Sequence, residues 1–127
     1  DRHPDTLTSI NSMGVLLQDM GQLEEARLLY KVKEALQTCR ETLGDRHPRT
    51  LVSIGTMGAL LQEMGQLEKA RPLYEESLQG KRETLGERHP NTLSSINNMG
   101  ALLQATGKLE EARPLFEEAL QAKRETL

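Results

Sequence analysis

The chain is built from one unit written three times. Arg-His-Pro occurs at 2–4, 46–48 and 88–90, and Met-Gly at 13–14, 57–58 and 99–100. Arg-Glu-Thr-Leu stands at 40–43, 82–85 and 124–127. Equivalent residues lie 44 and then 42 positions apart, so repeats 1–44, 45–86 and 87–127 account for all 127 residues. The second and third agree at roughly 70% of aligned positions. Self-similarity at such a period marks repeat architectures, in which each unit is too small to bury its own apolar face and must stack on its neighbours.

Each half of a repeat reads as a helix. In the third, Pro90 suits a first helical turn, where its missing N–H costs nothing. Leu93, Ile96, Met99, Gly100 and Leu103 then recur at steps of three and four, the spacing of one helical face. Thr106-Gly107 closes the run, with glycine at the left-handed C-terminal position. Leu109, Ala112, Leu115-Phe116 and Ala119-Leu120 form the second stripe. Glu110-Glu111 sit in its first turn and Lys123-Arg124 in its last, where the helix dipole favours each sign. Neither alternation nor a β-branched run suggests a strand. Helices are expected at about 4–20, 23–43, 48–64, 67–85, 90–106 and 109–126. The expected fold is all-α, a right-handed α-solenoid of three antiparallel helix pairs forming one array over 1–127.

Composition agrees. Aromatics make up 2% of the chain, only Tyr30, Tyr74 and Phe116. Leu, Ala, Met and Ile must fill the core, which suits closely approaching helices rather than a round globule with bulky aromatics at its centre. A formal charge of −3 gives no basic surplus for phosphates, and there is no stacking platform, so no nucleic acid is expected as a partner. No apolar run approaches the roughly 20 residues a membrane span needs, so no membrane partner is expected either. No signal-peptide pattern opens the chain. The single Cys39 forbids an internal disulfide and suits a reducing, intracellular setting; the location expected is cytoplasmic.

Catalytic and metal chemistry find no support. His3, His47 and His89 occupy identical slots. Stacked repeats separate such slots by roughly two helix diameters of about 10 Å each, too far for ligands to converge on a metal. Each precedes a proline at a helix start, which favours a capping role. No nucleophile–base grouping, paired buried carboxylate, phosphate loop or zinc spacing is visible. No enzyme activity, catalytic residue, metal site or cofactor is therefore expected.

The order Met99-Gly100, Leu103, Gly107, Leu109, Ala112, Phe116, Ala119 resembles the tetratricopeptide repeat signature. Gly100 and Ala112 fall where that family packs its helices closely, and Phe116 falls at its aromatic position. The Leu85-Gly86-Glu87-Arg88-His89-Pro90-Asn91-Thr92 linker and the Asn97-Asn98 before Met-Gly resemble the 42-residue variant best known from kinesin light chains. The early aromatic of the first helix is absent, with Ile96 nearby. The resemblance implies a protein–protein interaction scaffold whose first helices line a concave groove for a peptide or helix. By position, the groove residues are Thr8, Asn11, Val15 and Gln18; Val52, Gly55, Ala59 and Gln62; and Ser94, Asn97, Ala101 and Gln104. The glutamines form an amide ladder. Asn11 and Asn97 occupy the slot that binds peptide main chain in the kinesin-light-chain type, and Gly55 interrupts that column. No Lys or Arg is expected in the groove.

The first repeat carries two extra residues, Lys31-Val32. Two residues turn a helix by about 200°, which moves the apolar stripe to Val32, Leu36, Cys39 and Leu43. Two outcomes stand open: the helix absorbs the insert with local distortion of stacking, or the displaced face meets another chain or segment. Self-association through Val32, Leu36 and Cys39, or through Leu115 and Leu120 on the uncovered last helix, is accordingly the alternative to peptide capture. A homo-oligomer would then form through the uncapped ends or through the displaced face of helix 23–43.

Overall fold

The computed structural model describes the backbone of residues 3–126 and the side chains of residues 20–125. Among the described residues five helices follow one another: α1 (His3–Leu43), α2 (Pro48–Glu63), α3 (Leu67–Leu85), α4 (Pro90–Ala105) and α5 (Leu109–Thr126). No strand occurs among the described residues. The chain divides into two compact bodies, Asp1–Lys31 and Val32–Leu127. The boundary falls inside the two-residue insert.

In the larger body α2 pairs with α3 and α4 with α5, and α3 packs against α4. This is the stacked logic of an all-α solenoid. The linkers set the helix starts. His47 and His89 are the N-caps of α2 and α4, and each Nδ1 accepts the backbone N–H two residues on, from Arg49 and from Asn91, both at 3.1 Å. Pro48 and Pro90 follow as the first helical residues, where a missing N–H is free. His3 lies outside the described side chains. At the far ends, Gly65 and Gly107 both have φ of +79°, a conformation that costs any other residue about 1–2 kcal/mol.

The helix pairs close on their small residues. A Cβ on Gly58 would stand 3.2 Å from the Tyr74 ring, and one on Gly100 would stand 3.0 Å from the Phe116 ring. Ile54 and Ile96 are completely buried. Leu36 joins Leu51 and Ile54 in one core cluster, with Met57 and Leu73 packed against it. From Val32 onward, then, the last part of α1 stacks on α2 in the regular way. Thr50 Oγ1 donates to the Cys39 carbonyl at 3.3 Å, as Thr92 Oγ1 donates to that of Lys81 at 3.4 Å. Arg40 grips Glu76 with two bonds of 2.6 and 2.8 Å, as Arg82 grips Glu118 at 2.7 and 3.1 Å.

Two expectations are corrected here. Helices expected at 4–20 and 23–43 form the single α1, so two antiparallel pairs and one long helix replace three pairs. Gly21, unlike Gly65 and Gly107, keeps helical geometry. Glycine permits the left-handed turn without compelling it. In the later repeats an aromatic beyond the turn packs on Gly58 or Gly100, whereas Tyr30 is 73% exposed. In addition, Leu36 is not a free face for a second chain. It is buried against α2, and Val32 and Cys39 are half-buried beside it. The insert leaves the stacking that follows it intact.

Candidate functional site: a cleft between α2, α3 and α4

Within the larger body a cleft of about 280 Å³ opens where three helices meet. One wall is α2, through Leu51, Val52, Gly55, Thr56 and Ala59; the opposite edge is α4, through Ser95 and Asn98. Tyr74, Ser77 and Lys81 of α3 complete it. These side chains reach one place because α3 leans on both α2 and α4.

Its polar groups are mostly engaged. Ser77 Oγ donates to the Leu51 carbonyl at 3.4 Å, and Thr56 Oγ1 to the Val52 carbonyl at 2.9 Å. The Tyr74 hydroxyl donates to Gln62 Oε1 at 2.7 Å. Burial, helped by the Glu63 charge, pushes that hydroxyl above its ordinary pKa. Lys81 Nζ donates to Ser95 Oγ at 2.8 Å. Burial pulls the Lys81 ammonium below its ordinary pKa, because a low-dielectric setting disfavours the charged form. No Asp or Glu lines the cleft.

The groove positions expected from the sequence are divided by the structure. Val52, Gly55 and Ala59 line the cleft. Gln62 does not; its carbonyl serves the Tyr74 hydroxyl. Ser94 and Ala101 are exposed and Asn97 half-buried on α4, while the cleft takes their neighbours Ser95 and Asn98. Gln104 borders a separate depression of about 440 Å³ with Leu109, Arg113 and Phe116. Gln62 and Gln104 therefore differ: Phe116 has no hydroxyl to match that of Tyr74. Thr8, Asn11, Val15 and Gln18 lie outside the described side chains.

Sequence reasoning missed Ser77 and Lys81, since only first helices were expected to line the groove. A lysine of a second helix, Lys81, lines this cleft beside the first-helix residues. The slot of Lys81 holds Cys39 in the first repeat and Lys123 in the third, which was the available signal. Of the residues expected for self-association, Leu115 is half-buried and Leu120 is 51% exposed on α5. Among the described residues no group of three or more His, Cys, Asp or Glu is placed to hold a metal ion. None of the described helices is long and apolar enough to cross a membrane.

Two tetratricopeptide repeat family models match the chain, one over residues 32–83 and 53–125 and the other over 6–49. The chain belongs to the tetratricopeptide repeat family. Solved structures similar to it include a putative kinesin light chain of Podosopora anserina with nearly identical TPR-like repeats. That protein is 28% identical with a TM-score of 0.75, over 100% of this chain and 59% of that one. A point variant of the same protein is 27% identical with the same TM-score, over 98% and 58%. BtubC (BKLC) from P. vanneervenii shares the fold at 22% identity and TM-score 0.75, over 98% of this chain and 49% of its own. The tetratricopeptide repeats here are thus of the kinesin-light-chain type, and the chain spans about half to three fifths of the length of these relatives. None of the curated proteins compared matches it.

Proposed function

We propose that this chain is a non-catalytic protein–protein interaction scaffold that holds an extended peptide across α2 and α4. Tetratricopeptide repeats generally mediate contacts between proteins. The observation that carries the finer reading is the cleft itself: an apolar wall of Leu51, Val52 and Ala59 faces the polar edge of Ser95 and Asn98. An apolar lining with a few placed polar groups is the usual character of a ligand site. Affinity is modest for one such cleft, because no Trp or Arg anchor lines it, and it grows as contacts add along an array. The test is a panel of fluorescent heptapeptide pools measured by anisotropy. Ala59→Glu, which alters an exposed wall residue, abolishes binding while leaving the circular dichroism melt unchanged. Equal binding by wild type and Ala59→Glu refutes the assignment.

A second reading, self-association, rests on α5. Leu109, Phe116 and Leu120 are 60%, 37% and 51% exposed, an apolar set that another repeat or another copy would cover. Light scattering across concentration decides it: a monomer throughout excludes this reading. The free thiol of Cys39 agrees with a reducing cytoplasmic location.

A further inference from the structure

We propose that the exposed face of α5 is a docking site for residues 4–20 of a second copy of this chain, so that copies associate head to tail. The inference rests on the self-association reading of α5 and adds the segment that seats there.

The face is incomplete by the protein's own standard. Leu36, Leu78 and Leu120 hold the same slot in the three repeats. Leu36 and Leu78 are 7% and 8% exposed, but Leu120 is 51% exposed. The difference is the helix that follows. Leu36 is covered from α2 by Leu51 and Ile54, and α3 packs against α4. Among the described residues no helix follows α5. A polar tie accompanies each completed joint: Thr50 Oγ1 donates to the Cys39 carbonyl, and Thr92 Oγ1 to the Lys81 carbonyl. The partner that fits α5 is therefore a first helix with Thr, Leu and Ile at the slots of Thr50, Leu51 and Ile54.

Residues 4–20 supply such a helix. Thr6, Leu7, Ile10, Met13-Gly14 and Leu17 repeat Thr50, Leu51, Ile54, Met57-Gly58 and Leu61 residue for residue, and their backbone is helical. Of the three segments with this stripe, two are spent inside the chain: Ile54 and Ile96 are completely buried. The third forms no antiparallel pair in its own repeat, because α1 runs unbroken through Gly21. Nor does the second half of α1 offer a single face to pair with. The Lys31-Val32 insert turns it by about 200°, and Tyr30 is 73% exposed where Tyr74 is 8% exposed. The sequence of α5 carries no such insert. On α5, Leu120 meets Leu7 and Ile10 of the second copy as Leu36 meets Leu51 and Ile54, and Thr6 of that copy donates to the Lys123 carbonyl. The two copies contribute different patches, so the contact is heterologous and extends into a chain of copies unless its rotation closes a ring.

The experiment is static light scattering from micromolar to millimolar concentration on wild type, Leu120→Glu, Ile10→Glu and an equimolar mixture of the two variants. Expected is a wild-type mass that rises with concentration, and a monomer for each variant alone. Their mixture gives a one-to-one dimer and nothing larger. It holds a single working contact, α5 of the Ile10→Glu chain with residues 4–20 of the Leu120→Glu chain. Circular dichroism melts establish that each variant folds; should Ile10→Glu not fold, Leu7→Gln takes its place. Association of Ile10→Glu by itself overturns the occupant while leaving α5 as a self-association face. Association of Leu120→Glu by itself overturns the face, and a mixture that stays monomeric overturns the head-to-tail pairing. A wild type monomeric at every concentration overturns the self-association reading as well and leaves the peptide cleft untouched.

Discussion

Three equivalent glycines, Gly21, Gly65 and Gly107, are expected to respond to the same substitution with opposite signs. Gly65 and Gly107 have φ of +79°, and an alanine held there costs about 1–2 kcal/mol through the clash of its Cβ with the backbone. Gly21 lies inside α1 with helical geometry, and a Cβ built on it meets nothing within 4 Å. Alanine in a helix interior is favoured over glycine by about 1 kcal/mol. The loss of unfolded-state freedom on Gly→Ala is common to all three sites and cancels in the comparison. Because that preference is largely the same shared entropic gain, the gap between Gly21→Ala and either other variant is the strain itself, about 1–2 kcal/mol. Urea unfolding at 25 °C, followed by far-ultraviolet circular dichroism, measures it. Gly21→Ala raises the midpoint; Gly65→Ala and Gly107→Ala lower it. Three equal losses would refute the continuous α1 and restore a turn at Met20-Gly21.

Other consequences follow from the packing. Ile54→Ala empties a fully buried site beside Leu36 and Leu51 and costs about 3 kcal/mol in the same urea assay. Tyr74→Phe removes the hydrogen bond to Gln62 and costs about 1 kcal/mol, a small change because Phe116 already fills the equivalent slot. A double-mutant cycle on Arg82→Met and Glu118→Gln gives a coupling of about 1 kcal/mol at pH 7, since the pair is two-pronged but partly exposed. The Arg82 hydrogen bond holds the Glu118 carboxyl below its ordinary pKa. That stability is therefore present above the unfolded value of about 4.3 and is lost as pH falls through the lower folded value; a coupling unchanged at pH 2 contradicts the assignment. Deleting Lys31-Val32 in a Tyr74→Phe background leaves Tyr30 as the single tyrosine and returns it to the register of the later repeats. Its fluorescence becomes less quenchable by acrylamide, and undiminished quenching argues that the insert is not what exposes it.

Much of this protein is legible along the chain because repetition makes each inference three times over. The helices of the second and third repeats and their histidine caps follow from periodicity and local chemistry. These depend on residues within a few positions of one another. The repeat family follows from the same spacing. Other matters depend on residues far apart in sequence. Whether Gly21 turns or stays helical is not set by its neighbours, since Met20-Gly21-Gln22-Leu23 reads the same as Met64-Gly65-Gln66-Leu67. What differs lies beyond the turn: Tyr74 packs on Gly58 and Phe116 on Gly100, while Tyr30 is exposed. Likewise Lys81, on a second helix, enters the cleft only because α3 is packed against both α2 and α4. Sequence alone determined the unit, the helices of the second and third repeats, and the family. Tertiary packing decided which faces of those helices are spent on one another and which are left for a ligand, because burial depends on neighbours that the repeat pattern does not name.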